Sequence, residues 1–259
     1  MTYTISNVFK VTARTIASLT RYKSNNVVWK STINQQTQNF LYIQMASCST
    51  EQSQNKRPRN LMIVGLGNHD MPKSRHSVGM QFVNRLATHL GIQWIDTRKC
   101  GGTVAVLTIR EEQKVVLLKP TIPMNLNGKS VAKTATNYNI FRQDIYLVHD
   151  ELDKAVGKYS IKNGGSARGH NGVRSVMDSV RFEDMKRLLI GIDRPASKSK
   201  VADYVLANFQ MEEQMIIDGV IKHSIPLLLE DVKKTYEIDL LELNKENTET
   251  QEKKWWIDS

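Results

Sequence analysis

Four segments of this sequence join glycine to polar side chains that a buried core would not select. They are Gly65-Leu66-Gly67-Asn68 with Arg75-His76-Ser77-Val78-Gly79; Lys119-Pro120-Thr121-Ile122-Pro123-Met124-Asn125-Leu126-Asn127-Gly128; His149-Asp150-Glu151-Leu152-Asp153; and Gly164-Gly165-Ser166-Ala167-Arg168-Gly169-His170-Asn171-Gly172. They offer imidazole, carboxylate and primary amide. Imidazole titrates near neutrality and exchanges protons at physiological pH. An amide presents two donors and an acceptor without a charge of its own. By spacing alone, His76 reads as a capping or satisfied structural histidine, and Asn-Gly at 127–128 and 171–172 as a turn signal. The donors His149, Asp150, Glu151 and Asp153 have the types a metal centre needs. Adjacent strand residues face opposite ways, however, which separates His149 from Asp150. No metal site is expected. A dinucleotide fingerprint would need a third glycine three positions after Gly67, where Asp70 stands.

The elements that must position these loops are legible from hydrophobic patterning. Leu61–Gly67 is a short apolar run ended by glycine, which predicts a buried strand. Val83, Leu86 and Leu90 follow at helical spacing and stop at Gly91. Strands are predicted over 103–109, 114–118, 144–148 and 186–192, with a polar turn at 110–113. Helices are predicted over 128–138, 170–180 and 211–236, the last broken or kinked at Pro226. Strands alternating with helices give a single α/β domain over 60–236. Three of the polar segments follow strand-like runs, so they can meet at the carboxyl edge of a sheet, where ligands of open α/β sheets bind.

Charge divides the chain into three parts. The whole carries 36 Lys and Arg against 26 Asp and Glu, a net +10. Residues 1–59 hold eight basic residues and one acid, Glu51. Their Ser, Thr and Asn content, with Phe9, Val11, Ile16 and Leu19 on one side of a basic helix around Arg14, predicts a mitochondrial transit peptide and linker. Met45 is a plausible start for a shorter cytoplasmic form. Residues 60–209 carry 22 basic and 13 acidic residues, and residues 210–259 carry 6 and 12. Between Lys154 and Lys200 eleven basic residues face four acids, with few aromatics among them (Tyr159 and Phe182), which suits contact with an A-form phosphate backbone better than base stacking. Residues 237–259 read as a charged, flexible tail. No run approaches the roughly 18 apolar residues of a membrane-spanning helix, so no membrane partner is expected. Cys48 and Cys100 are too few for a disulfide framework.

In order along the chain, Val64-Gly65-Leu66-Gly67-Asn68, Arg75-His76, Met124-Asn125-Leu126 with Gly128, His149-Asp150-Glu151-Leu152-Asp153 and Gly169-His170-Asn171-Gly172 resemble the motifs of the bacterial-type peptidyl-tRNA hydrolase family. Ile190-Gly191-Ile192 and Val201-Ala202-Asp203-Tyr204-Val205-Leu206 continue the resemblance, and Arg75 to Met80 and Gly164 to Gly169 are similar to the animal, organellar branch. The resemblance implies a single three-layer α/β/α domain around a mixed, mostly parallel sheet, and a monomer that uses no cofactor and no metal. It implies hydrolysis of the ester joining a peptide to the 3′ end of tRNA, which recycles prematurely released peptidyl-tRNA. His76 matches the general base and Asp150 its acidic partner. Asn68, Met124, Asn125 and Asn171 match residues that contact the substrate, the asparagines by holding the peptide, orienting water or stabilising an oxyanion. Lys162 matches a phosphate contact, and Arg168 and Arg174 flank the last loop.

Two departures stand out. Asn68-His69-Asp70 replaces the family's usual Asn-Pro-Gly, and Arg187-Leu188-Leu189 replaces its usual Arg-Leu-Arg. Arg187 shares a strand face with position 189 and is expected to take over part of its phosphate contact. The same departures motivate an alternative, a tRNA-binding or ribosome-associated module that has lost turnover. The early Gly-x-Gly motivates a third reading, a nucleotide-cofactor enzyme.

Overall fold

A computed structural model describes residues 59–109 and 113–240. Residues 1–58, 110–112 and 241–259 lie outside it, and with them nearly all of the expected transit peptide and linker, most of the polar turn and most of the tail. The strands are β1 (Leu61–Gly65), β2 (Ile95–Thr97), β3 (Gly102–Ile109), β4 (Gln113–Pro120), β5 (Ile145–Glu151), β6 (Tyr159–Asn163) and β7 (Lys186–Gly191). The helices are α1 (Val78–His89), α2 (Asn127–Asn137), α3 (Asn171–Val180), α4 (Val201–Leu206) and α5 (Met211–Tyr236).

The seven strands form one sheet in the order β2-β3-β4-β1-β5-β7-β6. Its four central strands, β4-β1-β5-β7, run parallel, and the edge strands join antiparallel. Period-two alternation then sorts β1 to two cores. Leu61 and Ile63 face the layer of α1 and α5, with Phe82, Leu86, Ile217 and Leu228. Met62 and Val64 face α2 and α3, with Val131, Val173 and Val176. Burial on both faces is why the central strands read as continuous apolar runs. The edge strands β2 and β6 gave no such signal, because their residues are exposed or half-buried.

β1 lies between β4 and β5, so the chain leaves it toward one side of the sheet and returns past it to the other. The carboxyl ends of these strands converge at this switch point, the usual ligand crevice of an open α/β sheet. Close backbone approach fixes the start of α1 there. A Cβ on Gly65 would lie 2.3 Å from the Gly79 carbonyl oxygen, and one on Gly79 would lie 2.2 Å from that of Val148. No larger residue fits at either position, and this pressing of helix onto strand ends carries His76 to the sheet edge.

Two expectations need correction. α5 runs unbroken through Pro226, held along its length by buried Ile217, Ile221, Ile225, Leu228 and Val232. The folded part also passes residue 236, because Ile238 and Leu240 are buried in the first core. At the other end Arg59, expected in the linker, pairs its guanidinium with buried Asp144.

Candidate active site

His76 sits in a single 3-10 turn, Arg75–Ser77, immediately before α1. Asp150 sits near the carboxyl end of β5 and is 3% exposed. Sequence separates them widely, but the convergence of β1 and β5 brings His76 Nδ1 within 2.9 and 3.0 Å of the two Asp150 carboxylate oxygens. A carboxylate only accepts, so neutral His76 donates from Nδ1 and keeps a lone pair on Nε2. Burial opposes a charge on His76, but the charge and hydrogen bond of Asp150 outweigh it and raise its pKa above the ordinary imidazole value. For Asp150, burial favours the neutral acid. The opposing charges and hydrogen bonds of His170 and His76 reverse the sign and hold its pKa below the usual carboxylate range.

His170 is the residue that sequence reasoning passed over in favour of its neighbour Asn171. It is the N-cap of α3, its Nδ1 accepting from the backbone N–H groups of Gly172 and Val173 at 3.1 and 3.2 Å. Nδ1 is thus an acceptor, and Nε2 carries the proton given to Asp150 at 2.9 Å. One buried carboxylate therefore holds two imidazoles in opposite tautomers, with ring centroids 4.6 Å apart. A usable signal was its position, one residue before an amphipathic helix, where an acceptor is needed. His149, assigned to packing, donates from Nδ1 to the Asp150 carbonyl at 2.7 Å and packs edge-on to His170. Burial pushes its pKa down to about 3, so it stays neutral.

His76, Asp150 and His170 also form the one cluster among the described residues with metal-ligand composition, donor atoms lying within 4.8 Å of one another. A cation there would take His76 Nδ1 and His170 Nε2, the nitrogens that carry the shared protons. His170 Nδ1 would then have to bear hydrogen against two backbone N–H groups. The arrangement fits a hydrogen-bond relay and not a metal centre.

The three groups open into a cavity of about 350 Å³, walled by Arg168, Gly169, Asn171, Val201, Ala202 and Val205. Asn171, the first residue of α3, is exposed on this wall. Asn68 is half-buried, its Oδ1 accepting from the Met124 backbone N–H at 2.8 Å, which leaves its amide NH2 as the end available to a ligand. Buried Ser77 ties that loop to the catalytic turn, its Oγ accepting from the Asn68 N–H at 3.0 Å. Asn127 is fully buried and opens α2. Its Oδ1 accepts from the Gly67 N–H, and its Nδ2 donates to the Ile122 and Pro123 carbonyls. It braces two site loops, a structural role of another kind than the turn expected.

A family model described as peptidyl-tRNA hydrolase matches residues 62–252. The chain belongs to the peptidyl-tRNA hydrolase family. A probable peptidyl-tRNA hydrolase of Mus musculus is 43% identical over 174 residues, 66% of this chain and 85% of that protein. The peptidyl-tRNA hydrolase of Rickettsia canadensis is 34% identical over 176 residues, 66% of this chain and 94% of its own. Among solved structures, peptidyl-tRNA hydrolase from Acinetobacter baumannii aligns with a TM-score of 0.64 at 33% identity, covering 73% of this chain and 97% of that one.

Within this member of the peptidyl-tRNA hydrolase family, the other expected substrate residues separate into two groups. Asn125, Arg168 and Arg174 are exposed, and Lys162 is half-buried on edge strand β6. Arg168 takes a left-handed backbone (φ 48°) and lies 3.8 Å from Glu151. Met124 and Arg187 differ from expectation. The Met124 side chain is 5% exposed and packs in the second core, so its backbone, through Asn68, is what it contributes at the site. Arg187 is 2% exposed. Its guanidinium donates to the carbonyls of Gly165, Ser166 and Glu183, so it supports the 164–166 loop and does not replace a phosphate contact at Leu189. Position in the register misled here: that face of β7 at Arg187 is covered by the 164–166 loop and by Met177 of α3.

Proposed function

We propose that this chain hydrolyses the ester of peptidyl-tRNA, with His76 as general base. The observation that carries the reading is the Asp150-bound Nδ1 of His76, which frees Nε2 at the cavity to take a proton from water. The water oxygen attacks the ester carbonyl carbon, and the carbonyl becomes an oxyanion. His76 imidazolium, stabilised by Asp150, returns the proton to the departing ribose 3′ oxygen, and free tRNA and peptide leave. General base catalysis of this kind contributes about 10²–10⁴-fold. The Asn68 NH2, Asn125 and Asn171 supply uncharged donors for the peptide and the oxyanion. Lys162, Arg168 and Arg174 contact acceptor-stem phosphates, and the protein acts as a monomer without metal or cofactor.

Incubating the purified chain with N-blocked aminoacyl-tRNA tests this. Release of free tRNA across pH 6–8 is expected, and its absence would leave the tRNA-binding module that the altered Asn68-His69-Asp70 loop and Leu189 motivate. Residues 1–59 direct import into mitochondria in this reading, with a shorter cytoplasmic form starting at Met45. A reporter fused to residues 1–55 should be imported; a cytosolic reporter would refute targeting while leaving the chemistry untouched.

A further inference from the structure

We propose that Arg75 is a positioning residue: it clamps α4 in place as the wall of the catalytic cavity and so sets where substrate meets His76. The inference rests on the proposed hydrolase reading.

Arg75 directly precedes His76, yet it points away from the cavity chemistry and is 5% exposed. Its guanidinium lies 4.3 Å from the Tyr204 ring centroid and 5.4 Å from that of Phe209, close enough for cation–π attraction to both. One nitrogen donates to the Asn208 carbonyl at 2.9 Å and, more weakly, to those of Tyr204 and Ala207 at 3.4 Å. Another reaches Glu213 at 2.6 Å. The Arg75 backbone N–H adds a bond to the Ala207 carbonyl at 3.0 Å.

These acceptors run from the last turn of α4, at Tyr204, through Ala207 and Asn208 just after it. α4 has only six residues, too few to persist by its own hydrogen bonds. The same Tyr204 ties α4 to the end of the sheet, its hydroxyl donating to the Ile192 carbonyl at 2.6 Å. Its inner side supplies Val201, Ala202 and Val205 to the cavity that His76 lines. One planar cation therefore couples the turn bearing the base to the apolar wall opposite it. Glu213, which also accepts from the Gln210 N–H to start α5, neutralises a charge that would otherwise stand beside the imidazole. Lysine would keep the charge but lose the flat, forked geometry.

The test compares wild type with Arg75→Ala in turnover of N-blocked aminoacyl-tRNA and in affinity for uncharged tRNA. The expected result is a fall in kcat of about 10²-fold, the scale of a small misplacement of reacting groups, with tRNA Kd unchanged. Methylguanidinium, which fits the slot between Tyr204 and Phe209, should restore part of the rate, and methylammonium at equal concentration should not. Wild-type kcat in the variant, or loss of tRNA affinity in step with kcat, would overturn the proposal. So would failure of methylguanidinium to restore any rate. If Arg75→Ala does not fold, Arg75→Lys replaces it, and wild-type kcat there overturns the proposal equally. A wild type without turnover would instead refute the hydrolase reading itself.

Discussion

Strand β5 has a buried aspartate at each end, and the two are put to opposite uses. Asp144, fully buried just before the strand, is held by the guanidinium of Arg59, which also stacks near the Tyr236 ring. Asp150, 3% exposed near the other end, is held by two imidazoles. Arginine keeps its proton at any physiological pH, so the first pair can only lock the chain entering the sheet. Histidine gives its proton up near neutrality, so the second pair can move one. Burial is common to both sites; the partner's pKa decides which of them does chemistry.

Exchanging these roles gives the sharpest tests. His76→Ala should lower turnover by about 10²–10⁴-fold while uncharged tRNA still binds, as read by tRNA release and by a binding titration. Loss of binding would make His76 structural. Asp150→Asn should cost nearly as much, because the amide can present its NH2 to Nδ1 and favour the wrong tautomer. The pH profile gives the sign. His76 must be neutral to act, so kcat/KM should rise with pH through a pKa above the ordinary imidazole value and then level off. Removing the Asp150 charge should move that limb to lower pH. Linkage runs the other way for Asp150 itself: its folded pKa is depressed, so its contribution to stability is present above about pH 4 and is lost as pH falls. An acid limb of the unfolding curve identical in Asp150→Asn and wild type would contradict this.

A middle-sized effect separates the two jobs of His170. Serine there keeps an N-cap acceptor for α3 but cannot reach Asp150. His170→Ser should therefore cost under about 1 kcal/mol of stability in a urea titration, yet lower kcat about tenfold. At the other end of β5, Asp144→Asn should cost about 1–3 kcal/mol in the same titration and leave kcat at the wild-type value. A kinetic defect there would erase the contrast between the two ends. The smallest effects concern the cations. Lys162→Ala, Arg168→Ala and Arg174→Ala should each reduce the salt slope of tRNA binding by about one, whereas Arg187→Gln should leave the slope intact and lower stability.

Much of this was legible without coordinates. Apolar runs such as Leu61–Gly65 announce a strand buried on both faces, since a residue excluded from water on either side must be apolar whichever way it points. Edge strands β2 and β6 were silent because half their residues meet solvent. At the site, the resemblance of the loop motifs to the family named His76, Asp150, Asn68, Asn125 and Asn171, but His170 was hidden behind its neighbour. Arg187 was misplaced because strand parity gives the face of a residue and not what covers that face.

The sequence by itself determined the α/β alternation and the loops that carry polar groups, because periodicity and glycine placement are local properties of the chain, and the order of its motifs carried the resemblance to the family. Tertiary structure alone decided that one carboxylate serves two imidazoles, that Asn127 and Arg187 are braces, and that Arg75 turns its back on the cavity. Those outcomes depend on distances between residues far apart in the chain, set by the convergence of β1, β4 and β5, and on whether an opposing surface removes a charged group from water.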